Sequence, residues 1–233
     1  SSNFNIGLGD ASVEAYIKTG SDITTLQSIF RVGNSLSSYY FTVVSSGIRV
    51  GFYDGTTSST TTSSAFLQTN TLYHLIATFD RDGNLWVLNS KVDNALKKLN
   101  PASSSWTSYD FSAIISDPIS EELGFSEVVI GPDQTKWIGS YSKGLIGFNE
   151  SGMMLKNISD EDVANLPTSA IKSLALDKNN VLWIGTYRGL RVLYNTSNFF
   201  SEDMVRTESI IILEEGLPKE LLAQQFMTDI KVD

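Results

Sequence analysis

A recurring tryptophan is the feature that most restricts what this chain can fold into. Trp86, Trp137 and Trp183 lie in three similar segments, FDRDGNLWVLNS, IGPDQTKWIGS and LDKNNVLWIGT, at intervals of 51 and 46 residues. In each segment an apolar run ends at a polar turn, and the next run begins at the tryptophan. A period of about 40 to 50 residues with one such signature per repeat is typical of β-propellers. The repeat therefore predicts propeller blades, with a β-helix or an irregular sandwich as the alternatives.

The residues around the tryptophans repeat as well, and they allow the strands of a blade to be assigned. Three further pairs of segments match: SYSKGLIGF (140–148) with TYRGLRVLY (186–194), NLPTSAI (165–171) with GLPKELL (216–222), and SLALD (173–177) with DIKVD (229–233). In the last complete repeat we expect an inner strand at 171–176, a second strand at 182–186 centred on Trp183 and a third strand at 190–194. In the preceding repeat we expect the second strand at 136–140. The tryptophans are expected to fill the space between blades, while Gly185 lets neighbouring backbone approach closely. We expect helix only in short turns near 160–165 and 218–224.

Residues 1–85 differ in composition from the remainder and favour antiparallel β structure. Short runs rich in β-branched and aromatic residues are separated by turns that contain Gly, Ser or Asp, at 12–20, 27–34, 39–47, 48–55 and 72–80. This spacing is typical of a sandwich or a barrel. All four tryptophans and all five prolines follow residue 85. The tract TTSSTTTSS (56–64) has no apolar side chain to bury, so we expect a solvated loop there.

The first part of the chain resembles a known family. The segment FNIGLGDASVEAYIK (4–18), followed by glycine-containing turns and by NTLYHLIATFDRDGNL (70–85), is similar to the LamG-like, concanavalin A-like jelly roll. The resemblance covers residues 4–85 and implies a β-sandwich that binds glycans or other surface ligands, sometimes with calcium at its rim. The strand resembling YVNG that follows in the family is absent here, as are several later strands. We therefore expect only part of the sandwich.

The second part resembles another family. A turn of the type D-x-x-G-x-L-W-I-G-T followed by Gly-Leu is similar to the two-component-regulator propeller repeat. Within that group, residues 86–233 most resemble the PorZ family of the type IX secretion machinery of the Bacteroidota. This resemblance implies a non-catalytic surface protein that supplies anionic lipopolysaccharide to the sortase that anchors secreted cargo.

The two patterns overlap at DRDGNL (80–85), where one hairpin serves as a sandwich edge or as an inner blade hairpin. The sequence predicts an all-β chain, with a partial jelly-roll sandwich in residues 1–85 followed by incomplete β-propeller blades, about three in number, in residues 86–233. The junction near 80–86 is consistent with a natural recombination, a designed fusion or an assembly artefact. Because Ser1 begins the chain without a leader and Asp233 interrupts a repeat, we expect a fragment whose open strand edges associate.

Composition and charge narrow the function classes. A net charge of −9 offers no electrostatic surface for nucleic acid, and no apolar run approaches the roughly 20 residues that span a bilayer. The chain has no cysteine and one histidine, His74, so thiol chemistry is excluded and acid–base catalysis has little support. We therefore expect no enzyme activity and no cofactor. Calcium at DRDGN (80–84) is a weak alternative, because the segment lacks the third acid and the distant glutamate of an EF-hand.

The candidate ligand-binding residues lie in the bend after the second strand of two successive blades. Tyr141 and Lys143 occupy this bend in one blade, and Tyr187 and Arg188 occupy it in the next. In a propeller such bends share a face with the connectors that enter each inner strand. A ring beside a cation suits a sugar face or an anionic group, so we predict a binding site there. The alternative is that all four are exposed turn residues without a ligand.

The predicted partners are a surface glycan or anionic lipopolysaccharide and secretion-system proteins such as the sortase. The predicted location is the extracellular or outer-membrane surface, or the periplasm, of a Gram-negative bacterium. Two other functions remain open: a glycan-binding or adhesion module of the LamG-like class, and the periplasmic propeller sensor of a hybrid two-component regulator.

Overall fold

A computed structural model describes most of the chain. The described residues are 11–33, 38–45, 47–53, 58–62, 67–80, 84–89, 94–100, 103, 105–115, 124–159 and 161–232. Their regular structure is almost entirely antiparallel β, with one short helix and one 3-10 turn, so the all-β prediction is confirmed. Contacts divide the chain into two units, Ser1–Ser90 with Asn94–Asp110 and Lys91–Asp93 with Phe111–Asp233, and each is described by itself below.

The described part of the first unit contains nine strands in two antiparallel sheets. The strands are β1 (Ala11–Lys18), β2 (Gln27–Gly33), β3 (Ser38–Val44), β4 (Gly47–Tyr53), β5 (Ser58–Thr62), β6 (Leu72–Phe79), β7 (Leu85–Asn89), β8 (Leu96–Asn100) and β9 (Ser105–Tyr109). One sheet is the meander β2-β3-β4-β5, and the other has the order β1-β6-β7-β8-β9. β1 pairs with β6 over its whole length, from Ala11 opposite Phe79 to Lys18 opposite Leu72. The four-stranded sheet is therefore formed entirely by the chain between β1 and β6.

The two sheets of the first unit bury one apolar core. It contains Phe41, Val43 and Ile48 from the four-stranded sheet, Tyr73, Leu85, Val87 and Leu99 from the five-stranded sheet, and Leu67. Side chains of a strand alternate between its two faces, so residues two apart, such as Leu85 and Val87, point to the same side. Two sheets that face each other across a shared core form a β-sandwich. The more specific likeness to the LamG-like jelly roll stays a prediction.

The hairpin between β6 and β7 is closed by a buried aspartate. The Asp80 carboxylate accepts hydrogen bonds from the Asn84 backbone amide (2.9 Å), from Asn84 Nδ2 (3.0 Å) and from Trp86 Nε1 (2.8 Å). The Asp80 amide in turn donates to the Asn84 carbonyl (2.9 Å). Trp86 is fully buried. One carboxylate thus closes the turn and holds the indole that begins the next strand.

This hairpin belongs to both of the patterns seen in the sequence. β6, β7, β8 and β9 are consecutive neighbours, which is the strand order of a propeller blade, and β1 adds a fifth strand that completes the sandwich sheet. The change in composition near residue 85 therefore falls inside one sheet. By contacts, the two units divide near residue 110.

The residues of the second unit that the structure describes form two blade-like sheets and a hairpin. The elements are β10 (Phe125–Ile130), β11 (Lys136–Ser140), β12 (Leu145–Asn149), β13 (Met154–Ile158), α1 (Glu161–Ala164), β14 (Ile171–Leu176), β15 (Leu182–Thr186), β16 (Gly189–Leu193), a 3-10 turn (Thr196–Asn198), β17 (Ile211–Glu214) and β18 (Leu217–Glu220). The sheet orders are β10-β11-β12-β13, β14-β15-β16 and β17-β18. An isolated bridge between Val192 and Glu208 adds a fourth segment beside β16. Each tryptophan repeat therefore corresponds to one antiparallel meander.

The aspartate turn of the first unit returns in one blade of the second and is altered in the other. Asp177 accepts a hydrogen bond from Trp183 Nε1 (3.3 Å) and another from the Val181 amide (3.0 Å). The Val181 amide is the main cause that holds the pKa of the Asp177 carboxyl below its ordinary value. In the preceding blade Gly131 occupies the aspartate position. The buried Trp137 Nε1 there has no hydrogen-bond partner among the described residues.

The two blades of the second unit pack directly on each other. Their shared core contains Trp137, Leu145, Ile158, Ala164, Leu166, Ile171, Leu174, Leu182, Ile184, Leu193, Phe199 and Val205. A Cβ atom at Gly139 would lie only 3.0 Å from Ile171 Cγ2. A Cβ atom at Gly185 would likewise lie 3.0 Å from Met227 Cβ. The nearest atom is Ser126 Oγ for Gly139 and Ser173 Oγ for Gly185, so each glycine makes room for a serine of its own sheet and an apolar residue of the following repeat. The prediction that Gly185 admits neighbouring backbone is wrong, because the atoms around it belong to side chains.

Several local predictions can be compared directly with the strands. β11 and β15 begin and end at the residues predicted for them, and the predicted short helix near 160–165 is α1. The expected loop at 56–64 is wrong, because Ser58–Thr62 pairs with β4 as an edge strand. The expected helix at 218–224 is also wrong. Leu217–Glu220 pairs with Ile211–Glu214 instead, and Leu221 donates to the Ile210 carbonyl at the base of the hairpin.

The three repeat tryptophans differ in burial. Trp86 and Trp137 are fully buried, as predicted. The Trp137 ring meets Phe199 edge-on at 4.9 Å between ring centroids. Trp183 is only half-buried, so its prediction as a core residue is correct only in part. The half-buried tryptophan has the longer hydrogen bond to its aspartate.

Candidate functional site

The two predicted tyrosines occupy equivalent positions in successive blades. Tyr141 follows the last residue of β11, and its amide donates to the Gly124 carbonyl (3.0 Å) just before β10. Tyr187 follows the last residue of β15, and its amide donates to the Ala170 carbonyl (3.2 Å) just before β14. In each blade the end of the second strand is therefore tied to the start of the first. Both tyrosines lie at the same edge of their sheets.

A hydroxyl group shapes the bend that follows each second strand. Ser140 Oγ accepts hydrogen bonds from the backbone amides of Ser142 (3.2 Å) and Lys143 (3.0 Å). Thr186 Oγ1 accepts from the Arg188 amide (3.0 Å) and donates to the Gly189 carbonyl (2.8 Å). Serine and threonine commonly satisfy turn amides in this way. The bends that carry the predicted cations are thus fixed by local hydrogen bonds.

The structure brings the two tyrosine rings together and adds a third ring. Tyr141 and Tyr187 meet edge to face with centroids 6.3 Å apart, and Tyr187 meets Phe226 edge to face at 4.7 Å. We call Tyr141, Tyr187 and Phe226 the aromatic row. Tyr187 is 40% exposed and Phe226 is 51% exposed, while Tyr141 is half-buried. The Tyr141 ring rests on Gly124, where a Cβ atom would lie 2.7 Å from Tyr141 Cδ2.

Two cations lie in the same bends as the tyrosines, and a third contacts a ring of the aromatic row. Lys143 is half-buried, and its carbonyl accepts a hydrogen bond from Asn157 Nδ2 (2.9 Å). Arg188 is exposed beside Tyr187. Lys172 was not among the predicted residues, and its Nζ lies 5.8 Å from the centroid of the Tyr141 ring. This is within the range of a cation–π interaction.

Two residues of this surface were therefore missed from the sequence. Lys172 is the second residue of β14, directly after the connector that enters that strand. The prediction placed such connectors on the same face as the tyrosine bends, so this position carried a signal. Phe226 carried none, because the segment that contains it has no tyrosine bend of its own.

Two further candidates from the sequence are His74 and the weak calcium motif at 80–84. His74 lies in β6, opposite Tyr16. For the weak calcium motif, Arg81–Gly83 lie outside the described residues, and the Asp80 carboxylate is bonded to Asn84 and Trp86. Within the described ranges, no group of three or more His, Cys, Asp or Glu residues could hold a metal ion. In that same part of the chain, no helix is long and apolar enough to cross a membrane.

A comparison with protein families identifies the third tryptophan repeat. Residues 165–188 match the two component regulator propeller family. The match runs from the loop before β14 to the bend after β15, and so includes Trp183, Tyr187 and Arg188. No curated protein matches the chain.

Among the solved structures to which the chain is similar, two are proteins of the Bacteroidota. One is PorZ, an essential surface component of the type-IX secretion system of Porphyromonas gingivalis, with 17% identity and a TM-score of 0.55. The alignment covers 93% of this chain and 39% of PorZ, so the chain spans about two fifths of that protein. Another is the extracellular domain of the hybrid two component system BT4673 of Bacteroides thetaiotaomicron, with 15% identity, 91% and 30% coverage, and a TM-score of 0.40. At 17% identity the likeness to PorZ shows a common propeller-like fold.

Proposed function

We propose that this chain is a non-catalytic part of a surface or periplasmic β-propeller protein, and that it binds an anionic surface glycan or glycolipid. The observation that carries the proposal is the contact between Tyr141 and Tyr187, whose rings come from equivalent bends of successive blades and lie 6.3 Å apart. Partly exposed aromatic rings offer flat apolar faces that suit sugar rings. Lys143 and Arg188 lie in the same two bends and supply positive charge.

The charge of the chain supports an anionic ligand held by local contacts. The formal net charge is −9, so an anion is repelled at long range and gains affinity only from cations that it touches. Cations beside exposed tyrosines are therefore the expected determinants of binding. Their effect should fall with added salt, because charges at the surface are screened over about 8 Å at physiological ionic strength.

Within this class, we propose a role like that of the PorZ family in a type IX secretion system. The ligand would be anionic lipopolysaccharide, and the partners would include the sortase that anchors secreted cargo. The resemblance of residues 86–233 to that family and the common fold with PorZ support this assignment.

The binding proposal is tested by titrating purified anionic lipopolysaccharide against the wild-type chain and a Lys143→Ala, Arg188→Ala double variant. We expect the double variant to bind more weakly, by up to about 1 kcal/mol for each exposed contact, and with less dependence on salt. A Lys178→Ala, Lys231→Ala variant is the matched control, because it removes two exposed lysines and the same net charge. Equal affinity of wild type and double variant, or absence of binding, contradicts the proposal.

A sensor of a hybrid two-component regulator is the second candidate. The family match at residues 165–188 favours it, since that family is described as a two component regulator propeller. A sensor would bind its ligand through the same bends. Co-purification with a sortase would favour the secretion role, whereas a ligand-dependent change in phosphorylation of a histidine kinase in the same polypeptide would favour the sensor.

A further inference from the structure

We infer that Lys172 and Phe226 form the two ends of one oligosaccharide subsite along the aromatic row, with Lys172 receiving an acidic group and Phe226 receiving a sugar face. The inference rests on the proposed glycan-binding function and adds the residues that set the specificity of the site. Neither residue belongs to the two bends from which the function was proposed.

The four side chains of the subsite contact one another in series, from Lys172 to Phe226. Lys172 Nζ lies over the Tyr141 ring at 5.8 Å, Tyr141 meets Tyr187 at 6.3 Å, and Tyr187 meets Phe226 at 4.7 Å. The charged group is at one end of the row, and Phe226, 51% exposed, is at the other. Two rings lie between these ends in the series of contacts, so we expect a ligand that touches both to be longer than one sugar ring.

The position of the Lys172 ammonium over a ring suits it to bind an anion. An ammonium held over a ring keeps N–H donors that can turn to a carboxylate or phosphate. In the part of the chain that the structure describes, Lys172 has no ion pair with a carboxylate. The ring contact limits where the ammonium can move, so less conformational freedom is lost when an anion binds.

The exposed rings of Tyr187 and Phe226 offer an apolar surface to a sugar ring. Tyr187 and Phe226 contact each other edge to face yet stay 40% and 51% exposed. Their contact restricts both rings while large apolar areas face solvent, which is the arrangement that favours stacking of a sugar ring. This part of the subsite should not depend on ligand charge, whereas the Lys172 end should.

The two ends are separated by using two forms of one probe. The first probe, the acidic form, is the polysaccharide of purified anionic lipopolysaccharide. The second, the neutral form, is the same polysaccharide after its carboxyl groups have been reduced to alcohols and its phosphate groups have been removed. We expect Lys172→Met, which keeps an unbranched side chain one heavy atom shorter and removes the charge, to weaken binding of the acidic form about tenfold and to leave the neutral form unchanged. Phe226→Ala should weaken both forms by a similar factor.

Matched controls come from positions outside the aromatic row. Lys178→Met removes an exposed lysine from the turn after β14, about 20 Å from Lys172 along the strand direction, and Leu213→Ala removes an exposed apolar side chain from β17. Both should bind like wild type, and circular dichroism should show that all four variants fold.

The outcomes separate this inference from the function on which it rests. If the wild-type chain binds the acidic form but Lys172→Met binds it equally well, or loses both forms alike, the assignment of Lys172 is wrong and the proposed function stands. If Phe226→Ala binds both forms like wild type, the assignment of Phe226 is wrong. If the wild-type chain binds neither form, both the proposed function and this inference are overturned.

Discussion

Replacing Asp80 with alanine should strongly destabilise the first unit. The Asp80 carboxylate accepts hydrogen bonds from the Asn84 amide and from Trp86 Nε1, and Trp86 is fully buried. Removing the acceptor leaves buried donors without a partner, and each such donor costs about 1 to 3 kcal/mol. We therefore expect Asp80→Ala to lower the free energy of unfolding of the β6–β7 hairpin by about 3 kcal/mol.

The chain contains its own control for this change. Asp177 makes the equivalent bond to Trp183 Nε1, but that bond is longer, at 3.3 Å, and both residues are only half-buried. Water can replace the lost acceptor there, so Asp177→Ala should cost about 1 kcal/mol. Asp80→Asn should fall between these values, because it keeps one side-chain oxygen as an acceptor.

Amide hydrogen exchange measured by NMR gives a local free energy of opening for β7 and for β15 in the same sample. We expect a large loss of protection in β7 for Asp80→Ala and a small loss in β15 for Asp177→Ala. Equal losses at the two sites would refute this expectation, since burial would then not decide the strength of the bond.

Two other predictions concern a pair of leucines that differ in burial and the pKa of Asp22. Leu166→Ala should cost about 2 to 5 kcal/mol, since Leu166 is fully buried between blades, whereas its repeat counterpart Leu217 is 63% exposed and Leu217→Ala should change the free energy of urea unfolding by less than about 0.5 kcal/mol. Similar losses would contradict the burial argument. The Thr24 backbone amide, helped by the Thr24 hydroxyl, lowers the pKa of Asp22 from 3.8 to about 2. The local stability that this carboxylate supplies should therefore be complete above about pH 4 and be lost as the pH falls towards 2. A carboxyl carbon titration by NMR with a midpoint near 3.8 would contradict this.

The strands next to the tryptophans were predictable because their signals are local. Aspartate or glycine, a polar turn and a tryptophan set the register of each hairpin within a dozen residues, and β11 and β15 follow it residue for residue. The edge strand at Ser58–Thr62 was missed because its hydrogen-bond partners are in β4. Threonine is β-branched and favours extended backbone once a partner strand is present, even without apolar neighbours.

The candidate site was also predicted only where its signals are local. Repetition placed Tyr141 and Tyr187 in equivalent bends, and the rings do meet. Lys172 and Phe226 reach the row across blade boundaries. The position of Lys172 after a connector was a signal for the face on which it lies, whereas nothing in the sequence indicated Phe226. The helix expected at 218–224 was missed for a similar reason, because pairing of β18 with β17 overrides the helical preference of that segment.

The glycines at the ends of β11 and β15 have a consequence for how such chains grow. Gly139 makes room for Ile171, and Gly185 makes room for Met227, so the repeat centred on Trp183 carries both a recess for its successor and a large apolar residue for its predecessor. A duplicated repeat brings both halves of this joint with it and needs no newly evolved interface. Arrays of this kind gain stability as a sum of units and nearest-neighbour joints. Copy number can therefore drift in evolution while every joint keeps the same chemistry.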